Sequence, residues 1–551
     1  MIIDANKVLP GSELTCDICI VGAGAAGITL ALELAQSSLD VILIEAGKSD
    51  SSGKSQQLYQ GSVADQQRHL PADQARYRQL GGTTSMWGGR CIPYDPLDFE
   101  TRIFVENSGW PITRKELDPF YKRAHVYCQC GDFNYNVQEA LLHETNAMIP
   151  GFEDGDIITS TIERWSPPTH FGKTYRKQLK GASNIRVYLK AIVTDIESNE
   201  KGDTIIGLSI KTQADHNLRV KAKMFVLSGG GLEVTRLLLT SNTIHKNGIG
   251  NHSGWLGKCY MPHIHGSIAS VSFKQNLDII FGYEKDESET YCRRRLCLSK
   301  KAQNELKVLN MYFLLDRPLI GDPKHGNALL SLAFIAKQLQ QKSVKQDIGT
   351  GKYGLYLSHI KNVISGSAGL VYVLPQFSRK RFLQKRRIPS LIQKPRNNNF
   401  SLYFQSEQAP MPESQVFLTN KKDRYGNPQI NIDFKISELD VDSVYKSHKL
   451  IQKELTRQNC GTLTFNTNNT IDDIRNSNAV MGHHIGTTRM SKDINKGVVD
   501  ENCKIHNITN LFIASSSVFP TSSQANPVLT IVALANRLAD HLKTMNINLS
   551  N

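Results

Sequence analysis

Apolar residues fall into short runs, and the first of them sets the pattern of the N-terminal region. Ile18-Cys19-Ile20-Val21 has strand length and predicts a short buried strand. It leads directly into Gly22-Ala23-Gly24-Ala25-Ala26-Gly27 and then into Ile28 to Ala35, whose residues predict a helix. Val41 to Ile44 predicts a second strand, ending at Glu45. Asn184 to Tyr188 and Ala191 to Thr194 also read as strands. Met224 to Leu227 reads as another, running into the Gly229-Gly230-Gly231 turn and a helix that contains Arg236 to Leu239. From Leu402 to Phe434 the period changes to alternation around Gly426-Asn427-Pro428, which predicts a hairpin on a half-buried antiparallel sheet.

The glycine run carries the first chemistry. Gly22, Gly24 and Gly27 form GxGxxG between a strand and a helix, where glycines allow a tight turn and let backbone approach a pyrophosphate at the helix N-terminus. Glu45 follows Gly22 by 23 positions, near the ~20 expected of an acid that binds ribose hydroxyls. A glycine-rich turn without a ligand is the alternative, disfavoured because strand, helix, second strand and acid are all in register. No second GxGxxG occurs, which argues against a separate NAD(P)H domain and so against pyridine-nucleotide-fed flavin reductases and monooxygenases. Leu80 to Arg90 then gathers four glycines and three small hydroxyl residues around Trp87, a composition suited to backbone lying against a large flat ring. That second cradle favours FAD over nicotinamide. In the tail, Gly482-His483-His484-Ile485-Gly486-Thr487-Thr488-Arg489-Met490 and Gln524-Ala525-Asn526-Pro527-Val528-Leu529-Thr530 offer an imidazole to take a proton and an amide to hold an oxygen. Together with the fingerprint they point to oxidation of an alcohol on a bound cofactor.

Gly22 to Gly27, Leu80 to Gly89 and His483 to Thr530 together resemble the glucose-methanol-choline oxidoreductases, which carry non-exchanging FAD. The resemblance covers the N-terminal third and the tail well and the middle poorly. Within the family, His-x-x-Gly-Thr-x-Arg-Met and Ala-Asn-Pro-x-Leu-Thr are most similar to the pyranose oxidase branch. The resemblance implies that neutral His483 accepts the hydroxyl proton while the carbon gives hydride to flavin N5, and that Asn526 donates to the developing alkoxide. His484 is expected to point elsewhere. Met86 stands where some members carry a flavin-linking histidine, which implies non-covalent FAD. Ser515 replaces an aspartate of many relatives, so only backbone donors are expected to act there. The cofactor-binding set implied is Gly22, Gly24, Gly27, Glu45, Gly81, Gly82, Thr83, Trp87, Gly88, Val193 (against adenine), Ser515 and Pro527.

A chain of 551 residues, 40% hydrophobic, implies more than one domain, since single cores stop growing near ~250 to 300 residues. The expected class is α/β, α+β overall: a Rossmann-type FAD-binding domain interleaved with a substrate domain built on a largely antiparallel sheet with helices. Residues 1–100, 175–258 and 475–551 are expected to bind FAD, 101–174 to connect or cap, and 259–474 to bind substrate, with the Leu402–Phe434 sheet roofing the flavin. The ten cysteines are unevenly spaced and read as reduced thiols; Cys16 and Cys19 lie three apart on one strand and so face opposite ways. The N-terminal residues lack an export signal, and no apolar run reaches the ~20 residues of a membrane span, so a cytoplasmic location is expected.

Net charge is +14. Residues 374–398 hold eight basic and no acidic residues, interleaved with apolar ones such as Phe377, Phe382 and Leu383. A solvated insertion is the bland reading of that stretch. Peripheral membrane contact or an anionic-substrate patch is the alternative, and no nucleic-acid motif accompanies the charge. His263 and His265 alternate on a strand without a third ligand, so packing, or support of a neighbouring residue, is favoured over a metal.

The function expected is oxidation of a CH–OH group of a sugar or polyol, with an unidentified external electron acceptor. A steroid or lipid alcohol is the rival substrate, through an apolar entrance at Leu329 to Leu339. A flavoprotein with mainly a docking role is the rival class.

Overall fold

The computed structural model describes the chain apart from residues 51–52, 143–145, 551 and, between 318 and 397, residues 318–320, 322, 324–325, 342–351, 368–374, 376–377, 380–382, 385, 391, 393–394 and 396–397. Two large sheets dominate. The first is eight-stranded, in the order Ile2–Asp4, Ile185–Leu189, Val41–Glu45, Glu13–Val21, Asn217–Leu227, Ile205–Thr212, Ala191–Ser198. Its eighth strand, Leu511–Ile513, pairs with the C-terminal half of Asn217–Leu227. The centre is parallel, and Ile205–Thr212 adds an antiparallel meander at one side. Val41–Glu45 is buried along its whole length, as a strand covered on both faces must be. Helices Ala25–Glu33 and Val528–Ser550 pack into the core of this sheet, the latter through Leu529, Val532, Ala535, Leu538 and Leu542.

The second sheet is nine-stranded and antiparallel throughout. Its main path runs Gly461–Phe465, Ile264–Phe273, Asn399–Ser406, Met311–Asp316, Tyr291–Leu298, Ile157–Trp165, Arg90–Cys91; Tyr283–Lys285 and Asn478–Ala479 pair on its sides. Alternation gives each strand two faces. Met311, Phe313, Leu315, Phe400, Leu402 and Phe404 join Val441, Val444, Ile451 and Leu455 of helix Glu438–Arg457 in one apolar core. Tyr312, Leu314, Asp316, Tyr403 and Gln405, the intervening residues, line a cavity on the other face.

Three expectations change. The Gly426 hairpin forms, from Gln415–Lys422 and Pro428–Asp433, but in a separate three-stranded sheet with Gly61–Val63, so it does not roof the cavity. The roof is the nine-stranded sheet, which keeps only Asn399–Ser406 from the predicted stretch. Pro410 and Pro412, which cannot donate to a ladder, fall between the two. Residues 157–165, in the expected connecting segment, are an inner strand of that roof. Ala328–Gln341 is a helix in which Leu330 and Phe334 are buried, Phe334 packing on Tyr356 and His359, while Leu332 is exposed; none of its described side chains borders the cavity, and Leu339 of the expected apolar entrance lies outside the described side chains. Much of 374–398 lies outside the described residues. Among those described, all ten cysteines are free and no helix is long and apolar enough to cross a membrane.

Candidate active site

A cavity of about 1150 Å³ runs from the Gly22 turn of the first sheet to the inner face of the roof. At the nucleotide end the backbone itself forms the wall. Gly22 (φ +106) leaves no room for a side chain, since a Cβ there would come within 2.7 Å of Ser228 and Gly229 backbone. Gly27 seals helix to turn, its Cβ position lying 1.9 Å from the Gly22 carbonyl oxygen. A Cβ on Gly24 would instead meet nothing within 4 Å, because that position opens on the cavity. Gly24 is also the N-cap of helix Ala25–Glu33 and supplies no capping side chain, so the helix dipole and free N–H groups face the cavity. Gly81 N–H donates to the Ala23 carbonyl at 2.7 Å and docks the second glycine loop on the first. An uncapped helix end, a bare glycine wall and a second glycine loop against it fit the pyrophosphate and ring of FAD.

Glu45 lines the cavity but is 6% exposed, accepting from Ala23 N–H at 3.0 Å and Gly47 N–H at 2.7 Å. Burial raises its pKa to about 6 against those backbone donors. Gly82, Thr83, Trp87, Gly88, Val193, Ser515 and Pro527 all border the cavity, as does Met86, which is exposed. Trp87 is anchored by its indole N–H on the Thr169 carbonyl at 2.9 Å. The Ser515 hydroxyl accepts from Ser517 N–H at 3.2 Å and so closes its own turn. Gly27 and Gly81 do not border the cavity; expected among the cofactor contacts, they act by packing, Gly81 at φ +95 with no room for a Cβ against Gly172.

At the other end, His483 and Asn526 line the same cavity. His483 is 7% exposed, and its Nδ1 lies 2.9 Å from Nδ1 of His263. Burial, then the neighbouring His263, His484 and Arg90, push its pKa well below the usual imidazole range, so it stays neutral at physiological pH. His484 also borders the cavity, but its ring stacks on Tyr260 at 6.2 Å and 17°, whereas that of His483 meets His263. The Asn526 Oδ1 accepts from Gln405 Nε2 at 3.3 Å and Arg90 Nη1 at 3.5 Å, which leaves its amide N–H groups as donors. The loop before it is fastened from several sides. Gln524 accepts from Arg295 at 2.9 Å and donates to Asp95 at 3.1 Å, and Ser523 donates to Asp98 at 2.5 Å. Burial first, then Asp95 and Glu407, raise the Asp98 pKa well above the usual carboxylate range.

The sequence reading missed the roof's contribution. Arg90 pairs with Glu163 at 2.6 Å, both buried, and its guanidinium lies 3.8 Å from the Tyr312 ring centroid. Burial opposes the Arg90 charge, but Glu163, Tyr312 and Tyr403 outweigh it and raise its pKa. Trp165, Tyr283, Arg293, Asp316, His265 and Tyr403 complete this part of the lining. Only alternation within each strand could have flagged them, and the pairing partners lie far apart in sequence. Arg76 and Arg78, ion-paired with Glu233 beside Tyr59, were also missed. Among the described residues no group of three or more His, Cys, Asp or Glu could hold a metal.

A family model described as GMC oxidoreductase matches residues 410–535, and one described as FAD dependent oxidoreductase matches residues 17–245. The chain is 22% identical to the fructose dehydrogenase large subunit of Gluconobacter japonicus, over 97% of this chain and 98% of that protein. It is 21% identical to 6'''-hydroxyparomomycin C oxidase of Streptomyces lividus, over 97% and 93%. Its fold is similar to that of pyridoxine 4-oxidase from Mesorbium loti, with TM-score 0.55 at 15% identity, covering 96% of this chain and 99% of that one.

Replacing Gly24 by leucine should abolish FAD binding, since the added side chain projects into the space that backbone leaves for the pyrophosphate. The ratio of flavin to protein absorbance checks it; a stoichiometric ratio in the variant would mean the nucleotide site lies elsewhere.

Proposed function

Because the chain belongs to the glucose-methanol-choline (GMC) oxidoreductase family and is an FAD-dependent enzyme, we propose that it oxidises a CH–OH group of a sugar or polyol, with His483 as base and Asn526 as oxyanion donor. The observation that carries the reading is the meeting of neutral, buried His483 and the donor side of Asn526 in the cavity that the glycine walls open into. FAD, when bound, supplies the hydride acceptor. His483 takes the hydroxyl proton, and its low basicity keeps it free to do so across neutral pH. Asn526 donates to the oxygen as negative charge develops on it, and Gln405 and Arg90 hold the amide so that no reorganisation is needed.

The sugar preference is supported by the lining. Flat faces at Trp165, Tyr283, Tyr312 and Tyr403 alternate with Arg90, Glu163, Arg293 and Asp316, a mixture suited to a polyhydroxy ring. It also agrees with the sugar substrates that the names of the fructose dehydrogenase and 6'''-hydroxyparomomycin C oxidase relatives carry. The sterol reading gains no support from the described side chains of the Ala328–Gln341 helix, none of which lines the cavity. In this reading residues 1–100, 175–258 and 475–551 form the FAD-binding part and 259–474 the substrate part, with Arg90–Cys91 and Ile157–Trp165 lent to the roof.

Anaerobic mixing with a panel of sugars and sterols should bleach the flavin only with sugars or polyols. His483→Ala should keep FAD and slow flavin reduction by about 10² to 10⁴, Asn526→Ala by roughly 10² to 10³, and His484→Ala much less. A stopped-flow ranking with His484→Ala slowest would move the base to the other ring.

We also propose that FAD is held without a covalent bond, since Met86 offers a thioether where a linking histidine would be needed. Acid precipitation should release the flavin into the supernatant; colour retained on the pellet would refute this.

A second reading concerns location. Residues 317–398 hold fifteen basic and two acidic residues, so this stretch carries 13 of the chain's 14 net positive charges. It leaves the roof just after Asp316, and its Ser390 returns to the cavity lining, bonded to Tyr283 at 3.0 Å. Leu357, Ile360 and Ile364, spaced to share one face of helix Lys352–Ser365, are exposed. The charge and the exposed apolar stripe support peripheral contact with an anionic membrane, on the cytosolic side where free thiols persist. Serine at Arg379, Lys380, Arg381, Lys385, Arg386 and Arg387 should weaken binding to phosphatidylserine vesicles, as should added salt, with turnover on a small neutral alcohol unchanged. If the wild type ignores such vesicles at low salt, the stretch is a solvated insertion; if the variant loses turnover, it belongs to the active-site roof.

A further inference from the structure

His263 touches the base, yet the mechanism above does not use it. It is fully buried, and its backbone sits in the left-handed region at φ +64, a strained setting for a residue with a side chain. Both of its ring nitrogens are engaged. Nε2 lies 3.0 and 2.9 Å from the carbonyl oxygens of Ser522 and Ser523, and Nδ1 lies 2.9 Å from Nδ1 of His483. The two rings meet nearly edge to face, 5.0 Å between centroids at 79°.

These contacts settle where the hydrogens are. Carbonyl oxygens only accept, so Nε2 of His263 carries a hydrogen. Burial lowers the His263 pKa to about 4, so at neutral pH its Nδ1 is a bare lone pair. Two lone pairs would repel at that separation, so the hydrogen between the two Nδ1 atoms belongs to His483. A neutral His483 with its hydrogen on Nδ1 keeps its lone pair on Nε2, the ring nitrogen that His263 does not occupy.

We propose that His263 is a positioning residue that fixes the tautomer of His483, fastening its Nδ1–H through the imidazole to the Ser522 and Ser523 carbonyls and so making Nε2 the proton acceptor. This rests on His483 being the base, and it adds which atom acts and what holds it. The bookkeeping closes. The substrate oxygen loses its proton to Nε2, His483 becomes an imidazolium that donates from Nδ1 more strongly, and His263 keeps its own hydrogen throughout. The carbonyls that anchor the relay lie three and four positions before Asn526, so one loop orients both polar groups.

Histidine-selective ¹⁵N NMR of the FAD-loaded wild type tests it directly. His483 should appear as the Nδ1–H tautomer with an unprotonated Nε2, and His263 as Nε2–H. A hydrogen on Nε2 of His483 would overturn the proposal. His263→Leu fills the ring volume without a lone pair; it should retain FAD and substrate affinity, reduce flavin about 10- to 100-fold more slowly, and shift His483 toward Nε2–H. His263→Asn places Oδ1 where Nδ1 was and should recover most of the rate. Asparagine no better than leucine, or all three proteins equally fast, would count against it. Should His263→Leu not fold, the wild-type tautomer and the asparagine variant still decide. A fast His483→Ala would remove the base assignment while leaving the tautomer measurement standing.

Discussion

The active site depends on three residues, Leu511-Phe512-Ile513, adding in parallel to Phe225-Val226-Leu227. All three are fully buried, so the strand cannot slip without exposing its side chains. From that anchor the chain turns through Ser516–Val518, and Gly486, Thr488 and Met490 donate backbone hydrogen bonds to Ser516, Ser517 and Val518 at 3.3, 2.8 and 2.8 Å. His483 is thereby brought to the cavity that opens at the Gly22 turn, because Asn217–Leu227 is also the parallel neighbour of Glu13–Val21. The same strand, continued, leads into the loop of Asn526. One short pairing converts a separation of several hundred residues into a shared cavity.

The polar groups around that cavity are buried, and burial sets their chemistry. An imidazole in such a place is cheaper neutral than charged, which is the state a base needs before it acts. Arg90 goes the opposite way, because Glu163 and the Tyr312 ring compensate its charge. Removing Glu163 alone would strand a buried guanidinium, a loss of roughly 3–5 kcal/mol, so this pair behaves as one unit. Placed against the Asn526 oxygen, it turns a neutral amide into a donor of fixed direction.

What was legible in the sequence was local. The Gly22 fingerprint declares itself because strand, turn and helix lie close together in sequence, with Gly22 and Gly27 leaving no room for a side chain and Gly24 opening on the cavity. The tail motifs are short enough to match by position, and the sharing of one cavity by His483 and Asn526 follows from a pairing that no local pattern states. The roof was misread for the same reason. Alternation at Leu402 to Phe434 is real in both its halves, but the partners of the first half are Met311–Asp316 and Ile264–Phe273, a hundred residues away, and nothing in the alternation names them. His263 was seen as a strand histidine; its left-handed backbone and its contact across 220 positions are properties of the folded chain.

The two sheets therefore divide the work unequally. Glycine turns and the Leu511–Ile513 pairing fix the nucleotide end of the cavity and the place of His483 by backbone geometry, which tolerates little change in residue type. The roof presents every second side chain of several strands to the cavity, while the alternate residues hold the core under helix Glu438–Arg457. Tyr312 or Tyr403 can change without touching Phe313 or Phe404, because the pleat puts them on opposite faces, whereas buried Arg293 also donates to the Phe281 and Leu315 carbonyls and so helps hold the sheet. The cavity face of the roof is therefore freer to vary than the core face packed under helix Glu438–Arg457, and freer than Gly22 and Gly27, which leave no room for a side chain.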